Sequence, residues 1–224
     1  MLVIPAWFNK NHPEVVARGA PADTGTWLIQ YMCDRIGITD LGRCDVLDLG
    51  CGCRFADAIV NRQLPMKSYV GVDVDEEMVE FLSAKVADPR LSFFYWNARN
   101  PNYNPNGQAL LADRVLPIGN LKFDVICMFS VITHQQPADA EVILTILRRY
   151  IRATGHLFFS ATVEEGDFGY KEAVPEAPAA HSIYSIALLR SIVERCGWKI
   201  VSLEGKSPGG LPIQDSFLCI PIAA

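Results

Sequence analysis

The segment that decides the fold is Val46-Leu47-Asp48-Leu49-Gly50-Cys51-Gly52-Cys53-Arg54-Phe55-Ala56. Its pattern predicts a buried strand, a tight turn and the first turn of a helix. Gly50 and Gly52 let the backbone bend sharply, and because glycine has no Cβ they leave room for a ligand to approach. The free N–H groups at the start of the following helix point toward the same space. The segment therefore predicts a ligand-binding turn at the carboxyl end of a strand.

A second acid ends the next predicted strand. Tyr69-Val70-Gly71-Val72-Asp73 is an apolar run that finishes in a carboxylate, and Asp48 lies near the end of the first strand. In an open α/β sheet, ligands bind in the crevice beyond the carboxyl ends of the strands. Asp48 and Asp73 are therefore expected to border one crevice. Two acids there suit a ligand that carries hydroxyls and an amine, such as a nucleoside with an amino-acid tail.

Composition favours one α/β domain. The 224 residues are 50% hydrophobic and 20% charged, which is enough apolar material for a sizeable core. We predict a single domain over 1–224, with an arm and helix over 1–40 and the ligand-binding core over 41–224. The net charge of −5 argues against a broad phosphate-binding surface, so no nucleic-acid partner is expected.

Membrane and secretory signals are weak. Apolar runs stay well short of the roughly 20 residues that a membrane span needs, so no membrane partner is expected. The apolar opening lacks a basic flank and stops at Pro5, which is not typical of a signal peptide. The seven cysteines are an odd number scattered through apolar runs, which is typical of reduced thiols in a cytoplasmic protein. Cys51 and Cys53 have no second pair at zinc-site spacing, so no metal is expected.

Strand and helix patterns alternate along the rest of the chain. The final two strands should pair antiparallel, because residues 204–210 are too few for an intervening helix. Predicted strands cover 44–49, 69–73, 91–96, 123–129, 155–162, 198–203 and 215–220. Predicted helices cover 24–37, 55–63, the segment after Asp75, the segment from Pro137 and 183–196. Long loops are predicted over 98–121, with a short helix near Leu110, Leu111 and Val115, and over 163–181.

With these motifs in view, residues 40–221 resemble the class I S-adenosylmethionine-dependent methyltransferases. The resemblance rests on Val46–Gly52, Val70–Asp73, Phe123–Ile126 and the terminal hairpin. Tyr103–Gly107 and Ser130–His134 look like a bacterial subgroup with small-molecule methyltransferase domains. The resemblance implies a Rossmann-like, seven-stranded, mostly parallel sheet with an antiparallel last strand and helices on both faces. It also implies S-adenosyl-L-methionine as cofactor and S-adenosyl-L-homocysteine as product.

The resemblance assigns roles to residues around the strand ends. Asp73 would accept hydrogen bonds from both ribose hydroxyls, since a carboxylate offers two acceptor oxygens. Asp48 would lie near the methionine ammonium. Gly50 and Gly52 would line the methionine moiety, Val74 and Asn97 would lie at the adenine, and Phe129 and Ser130 would border the sulfonium. Cys51 and Ala98 are the other implied cofactor contacts. The family usually has a third glycine in this turn, whereas here Cys53-Arg54 follows Gly52 directly.

His134 is the candidate catalytic base, because it follows the fourth strand, where an acceptor should enter, and titrates near neutrality. The alternative is a histidine that orders residues 130–136 by hydrogen bonds. His156 and His181 fit a catalytic role less well, since one begins a strand and the other precedes a helix, and His12 lies in the arm. Aromatic residues that could wall the pocket are Trp96, Tyr103 and Tyr184.

The predicted function is methyl transfer to a small-molecule hydroxyl or amine by a monomer or homodimer. A nicotinamide-dependent oxidoreductase would need a third glycine where Phe55 stands. A non-catalytic domain or partner subunit of the same fold stays open because the glycine turn is altered. A nucleic-acid methyltransferase fits less well, since Phe129-Ser130-Val131-Ile132 replaces a base-flipping motif of the Asn-Pro-Pro-Tyr type.

Overall fold

The computed structural model describes residues 1–8, 17, 19–206 and 213–223. His12 and residues 207–212 of the terminal connection, which the sequence analysis discussed, lie outside these ranges. The α-helices are α1 (Pro21–Ile36), α2 (Arg54–Asn61), α3 (Glu76–Lys85), α4 (Pro137–Leu147) and α5 (Ile186–Arg195). The strands are β1 (Asp45–Leu49), β2 (Ser68–Asp73), β3 (Leu91–Tyr95), β4 (Phe123–Met128), β5 (Ile151–Glu164), β6 (Tyr170–Glu172), β7 (Ser182–Ser185), β8 (Trp198–Glu204) and β9 (Asp215–Pro221).

The main sheet is parallel in the order β3-β2-β1-β4-β5. β9 then pairs antiparallel with β5, and β8 pairs antiparallel with β9. The chain runs outward from β1 to β3 on one side and crosses back to β4 on the other. This reversal places a crevice at the carboxyl ends of β1 and β4, which is where ligands bind in open α/β sheets.

Helices cover both faces of this sheet, as predicted. Alternate strand residues supply the two cores. Leu47 of β1 packs in the core beneath α4 and α5, whereas Val46 packs in the core beneath α1, α2 and α3. Asp48 is two residues beyond Val46 and therefore points to the same face as Val46. The mostly parallel Rossmann-like sheet with helices on both faces is confirmed.

Local signals placed most of these elements. Asp75 caps α3 by accepting a hydrogen bond from the N–H of Met78 at 3.2 Å, as expected for an aspartate before a helix. Gly37 ends α1 with φ = 81°, a left-handed conformation that glycine adopts without strain. α1 begins at Pro21, three residues before the predicted start, because proline is accommodated in the first turn of a helix.

Two predicted loops differ from the structure. Segment 98–121 contains no helix near Leu110 and Leu111, and consists of turns with isolated bridges from Ala98 to Gln108 and from Asn100 to Asn104. Segment 163–181 is only partly a loop, because β5 continues to Glu164 and β6 lies within it. β7 takes the first residues of the predicted last helix and pairs with β5 and β6. The described residues thus form nine strands instead of seven, since β6 and β7 are too short to carry a clear alternating pattern.

Gly25 sets the distance between α1 and α2. A Cβ at this position would lie 2.7 Å from the carbonyl oxygen of Arg54 and 3.0 Å from the Cβ of Ala58. Gly25→Ala should therefore lower the free energy of unfolding by about 1–3 kcal/mol, because overpacking outweighs the gain in helix propensity. Chemical denaturation measures this change. Gln30→Ala, at an exposed position of the same helix, should keep the free energy of unfolding within about 0.5 kcal/mol of wild type. Equal stability of both variants would contradict the close contact.

Among the described residues, none of the helices is both long enough and apolar enough to cross a membrane.

Candidate active site

A cavity of about 430 Å³ opens at the carboxyl ends of β1, β2 and β4. Its volume lies within the range of small-molecule and cofactor sites. The residues that line it include Ile4, Phe8, Pro21, Leu28, Asp48, Gly50, Cys51, Gly52, Arg54, Asp73, Val74, Trp96, Ala98, Asn100, Tyr103, Phe129, Ser130, His134, Ser160, His181 and Gln214.

The glycine turn forms the floor of the cavity. Gly50 and Gly52 have φ values of 70° and 50°, in the left-handed region that favours glycine. The N–H of Gly50 donates to the carbonyl of Val72 at 2.7 Å, which holds the turn against β2. A Cβ on Gly50 would overlap the side chain of Val131, whereas a Cβ on Gly52 would meet open space. The turn is therefore packed on one side and open on the other.

Asp73 lies at the end of β2 with its side chain against this turn. One carboxylate oxygen accepts the N–H of Gly52 at 2.9 Å, and the other accepts those of Val74 and Asp75 at 2.7 and 3.1 Å. Burial raises the pKa of Asp73, although these three hydrogen bonds favour its charged form. A carboxylate has about four acceptor positions, so the oxygen that faces Gly52 keeps one for a ligand.

Asp48 lines the same cavity but is almost fully buried, at 3% exposure. The hydroxyl of Tyr69 donates to it at 2.7 Å. Burial raises the pKa of Asp48 to about 7, against the opposing effect of hydrogen bonds from Tyr69 and Cys127, and Asp73 adds a further increase. A cationic ligand group beside Asp48 would favour its charged form.

Ser130 follows β4 with φ = 60°, an uncommon conformation for a residue with a side chain. Its N–H donates to the hydroxyl of Ser160 at 2.8 Å. The hydroxyls of Ser130 and Ser160 both donate to the amide oxygen of Gln214, at 3.1 and 2.6 Å. These contacts join the ends of β4 and β5 to the segment that precedes β9, so the backbone bend at Ser130 is held from two sides.

His134 is held by a carbonyl from the segment between β6 and β7. Its Nδ1 lies 3.3 Å from the carbonyl oxygen of Ala179. This hydrogen bond requires a proton on Nδ1, so in the neutral ring Nε2 is the acceptor. Burial lowers the pKa of His134, against hydrogen bonds to the backbone of Ala179 and Ala180 that favour the charged form. The ring is therefore neutral near pH 7 and able to accept a proton.

The 98–121 segment forms the wall beside His134. Asn100 is buried, accepts the N–H groups of Asn102 and Tyr103, and donates to the carbonyl of His134 at 3.2 Å. The ring of Tyr103 meets the His134 ring edge to face, with centroids 5.5 Å apart. The amide of Asn102 donates to the carbonyl of Ala179 at 2.6 Å. The asparagine-rich stretch thus fixes the backbone of His134 and the loop that orients its ring.

Most predicted site residues line this one cavity. They are Asp48, Gly50, Cys51, Gly52, Asp73, Val74, Ala98, Phe129, Ser130 and His134. Asn97 does not line it, because its side chain is exposed and meets Asn104 at 3.4 Å, while the flanking Trp96 and Ala98 line the cavity. Its adenine contact stays a prediction.

The remaining aromatic and histidine candidates divide between cavity and core. Tyr103 and Trp96 line the cavity, whereas Tyr184 is fully buried and donates to the carbonyl of Gln135 at 2.6 Å. His181 lines the cavity and lies 3.0 Å from the hydroxyl of Thr162. His156 is not among the lining residues and pairs with Val125 in the sheet.

The polar lining residues that were not predicted as ligand contacts from the sequence include Arg54, Ser160 and Gln214. Arg54 carried a signal, since it stands within the motif where the family usually has a glycine. Ser160 and Gln214 carried none, because their approach depends on the pairing of β5 with β9. Among the described residues, no group of three or more His, Cys, Asp or Glu side chains could hold a metal ion.

A glycine turn after β1, a carboxylate after β2 and a cavity at the reversal of strand order define a Rossmann-like domain that binds a nucleoside-type cofactor. A family model described as a methyltransferase domain matches residues 47–157. The match spans the glycine turn, Asp73 and His134. This match and the Rossmann-like fold support the resemblance to the class I S-adenosylmethionine-dependent methyltransferases.

Solved structures of methyltransferases share this fold. The glycopeptide N-methyltransferase MtfA, complexed with sinefungin, is 12% identical with a TM-score of 0.63, over 89% of this chain and 94% of that chain. CalO1, a methyltransferase in calicheamicin biosynthesis with bound SAH, is 17% identical with a TM-score of 0.57, over 89% and 55%. Magnesium protoporphyrin IX methyltransferase (ChlM) from Synechocystis PCC 6803, with bound SAM, is 15% identical with a TM-score of 0.54, over 89% and 79%.

Proposed function

We propose that this chain transfers a methyl group from S-adenosylmethionine to a hydroxyl or amine of a small molecule and releases S-adenosylhomocysteine. The observation that carries the proposal is a single cavity lined both by the glycine turn with Asp73 and by His134. A cofactor site and a candidate base thus open into the same space.

The residues present fit the cofactor. Asp73 keeps an acceptor position for a ribose hydroxyl, and accepting from both hydroxyls requires the N–H of Gly52 to turn away. Asp48 can face the ammonium of the amino-acid tail. Trp96 is buried with an indole N–H that has no hydrogen-bond partner among the described residues, which leaves a donor for a ligand atom. When bound, S-adenosylmethionine supplies a methyl group activated by the positive sulfur.

The protein must hold an acceptor close to this methyl and in line with it. Holding two reactants in a productive geometry can remove about 7–11 kcal/mol of barrier in the best cases. Phe129 and the bend at Ser130 border the expected sulfonium position. The neutral ring of His134 is available to take the proton of a hydroxyl or ammonium acceptor.

The acceptor class is proposed from the cavity and from the named relatives. The relatives are named for glycopeptide, calicheamicin and magnesium protoporphyrin substrates, which are not nucleic acids. The net charge of −5 supports a small molecule over a nucleic acid here.

We also propose one domain over 1–224, a monomer or homodimer, and a cytoplasmic location without a membrane partner. Burial raises the pKa of the Cys51, Cys127 and Cys219 thiols, which suits reduced cysteines.

Two measurements test the proposal. Calorimetry with S-adenosylhomocysteine should give saturable binding with one site per chain. Incubation with S-adenosylmethionine and a panel of phenols, alcohols and amines should then release S-adenosylhomocysteine with at least one acceptor. Failure to bind S-adenosylhomocysteine would contradict the proposal, and binding without turnover across the panel would favour a non-catalytic domain.

His134→Gln should lower turnover with the identified acceptor by about 100-fold to 10,000-fold, the usual contribution of a general base. Affinity for S-adenosylhomocysteine should stay within about 3-fold. Since burial lowers the pKa of His134 from 6.5, wild-type turnover should be level above pH 6.5 and fall at lower pH as the ring becomes protonated. His156→Gln, away from the cavity, should keep the wild-type turnover and the wild-type affinity for S-adenosylhomocysteine. Full turnover in His134→Gln would leave His134 a loop-ordering residue.

A further inference from the structure

Arg54 is a cation in the wall of the cavity and has no counter-ion among the described residues. It is the first residue of α2 and lines the cavity two residues after Gly52. Within the described part of the chain, no hydrogen bond or ion pair reaches its guanidinium, and it is only partly exposed. Burial lowers the pKa of Arg54 to about 10, with no neighbouring acid acting in the opposite direction. The group is nonetheless charged at neutral pH.

The acids of the cavity do not compensate this charge. Asp73 is engaged by three backbone N–H groups, and Asp75 caps α3. Asp48 accepts a hydrogen bond from Tyr69, and burial, Tyr69, Cys127 and Asp73 shift its pKa, whereas Arg54 is not among the causes. A partly buried guanidinium without a counter-ion is costly unless a ligand supplies one.

The backbone and the start of the side chain of Arg54 pack against α1. Its carbonyl oxygen and Cγ lie where a side chain at Gly25 of α1 would clash. Pro21 and Leu28 of α1 line the same cavity. The planar guanidinium carries a fork of N–H donors that matches the two oxygens of a carboxylate.

We propose that Arg54 binds a carboxylate group within this cavity. The inference rests on the proposed function, because the carboxylate would belong either to the cofactor or to the methyl acceptor. One is the amino-acid tail of the cofactor, whose ammonium would face Asp48 across the turn. The other is an acid group on the methyl acceptor. In both cases Arg54 is a binding residue that selects ligands by their negative charge.

Calorimetry with matched ligands separates these sources. S-adenosylhomocysteine and its decarboxylated analogue, S-adenosyl-3-thiopropylamine, differ only in the carboxylate. If Arg54 binds the cofactor tail, Arg54→Gln should lower the affinity for S-adenosylhomocysteine about 10-fold to 100-fold. The affinity for the analogue should stay within about 3-fold of wild type. Arg54→Lys should give an intermediate loss, since it keeps the charge without the fork. Arg62→Gln, at the opposite end of α2 and paired with Asp23 outside the cavity, should not change either affinity.

The second source gives a different pattern. Acetate, added to protein saturated with S-adenosylhomocysteine, should then raise the melting temperature of wild type but not of Arg54→Gln, while S-adenosylhomocysteine affinity is unchanged. Equal loss of S-adenosylhomocysteine and its analogue, or no response in either experiment, would overturn the carboxylate assignment. If Arg54→Gln does not fold, the same comparisons are made with Arg54→Lys. Absence of S-adenosylhomocysteine binding to wild type would instead contradict the proposed function.

Discussion

Asp73→Ala is expected to weaken binding of S-adenosylhomocysteine by at least about 30-fold. A hydrogen bond to a charged group contributes about 1.5–3 kcal/mol, and the ribose edge can offer one or two hydroxyls to this carboxylate. The substitution also leaves the N–H groups of Gly52, Val74 and Asp75 without their acceptor, so the glycine turn should lose its fixed shape. Calorimetry with S-adenosylhomocysteine measures the change.

The control for this variant is Asp40→Ala. Asp40 also accepts a backbone N–H, from Gly42 at 2.9 Å, but it does not line the cavity. Its removal should leave the affinity for S-adenosylhomocysteine within about 2-fold of wild type, whatever it costs in local stability. If Asp73→Ala binds as tightly as Asp40→Ala, the cofactor assignment of this carboxylate is wrong.

Asp48→Asn is expected to stabilise the protein and to lower its affinity for S-adenosylhomocysteine. Burial raises the pKa of Asp48 from 3.8 to about 7, so the native state holds this proton more tightly than the unfolded chain. The free energy of unfolding therefore falls as pH rises from about 4 to 7, and the full destabilisation by the buried charge is present above pH 7. A difference of this size corresponds to at most about 4 kcal/mol. Asn removes that cost, so its advantage should be largest near pH 8 and vanish near pH 4 in denaturation experiments.

The same variant should bind S-adenosylhomocysteine more weakly at pH 8, because its neutral amide cannot pair with an ammonium. Wild-type affinity should fall as pH drops below 7 and Asp48 becomes protonated, whereas the variant should show little change there. 5′-Deoxy-5′-methylthioadenosine, which lacks the amino-acid tail, should bind both proteins alike. Burial keeps the neighbouring Tyr69 and Cys127 neutral over this range, since the pKa of each is raised. Identical pH profiles for both proteins would contradict the ammonium contact.

The proposed cofactor side of the cavity could be located from sequence because its parts are local. The glycine turn, the acid after β2 and the cap at Asp75 each depend on a few adjacent residues and on the rule that parallel strands end at one edge. Asp48 was expected near a ligand ammonium, but its burial and its hydrogen bond to Tyr69 depend on how β1 and β2 align. Local pattern cannot supply that alignment.

The proposed acceptor side was harder to predict, because contacts between residues far apart in the sequence form it. Ala179 is 45 residues from His134 and 77 from Asn102, yet its carbonyl accepts hydrogen bonds from both. Its φ of 61° is unusual for a residue with a Cβ, and no sequence signal marks it. β6 and β7, which hold this segment, are three and four residues long. Such short strands are formed by the surrounding structure more than by their own sequence.

The shared carbonyl of Ala179 bears on how this enzyme could evolve. A substitution in the segment between β6 and β7 that moves this oxygen would disturb the candidate base and the asparagine-rich wall together. New acceptor preferences should therefore arise through paired replacements, one in the segment between β6 and β7 and one in the asparagine-rich wall. A replacement in one segment alone would misalign the other segment. The strand ends proposed to hold the methyl donor could stay unchanged while such pairs accumulate.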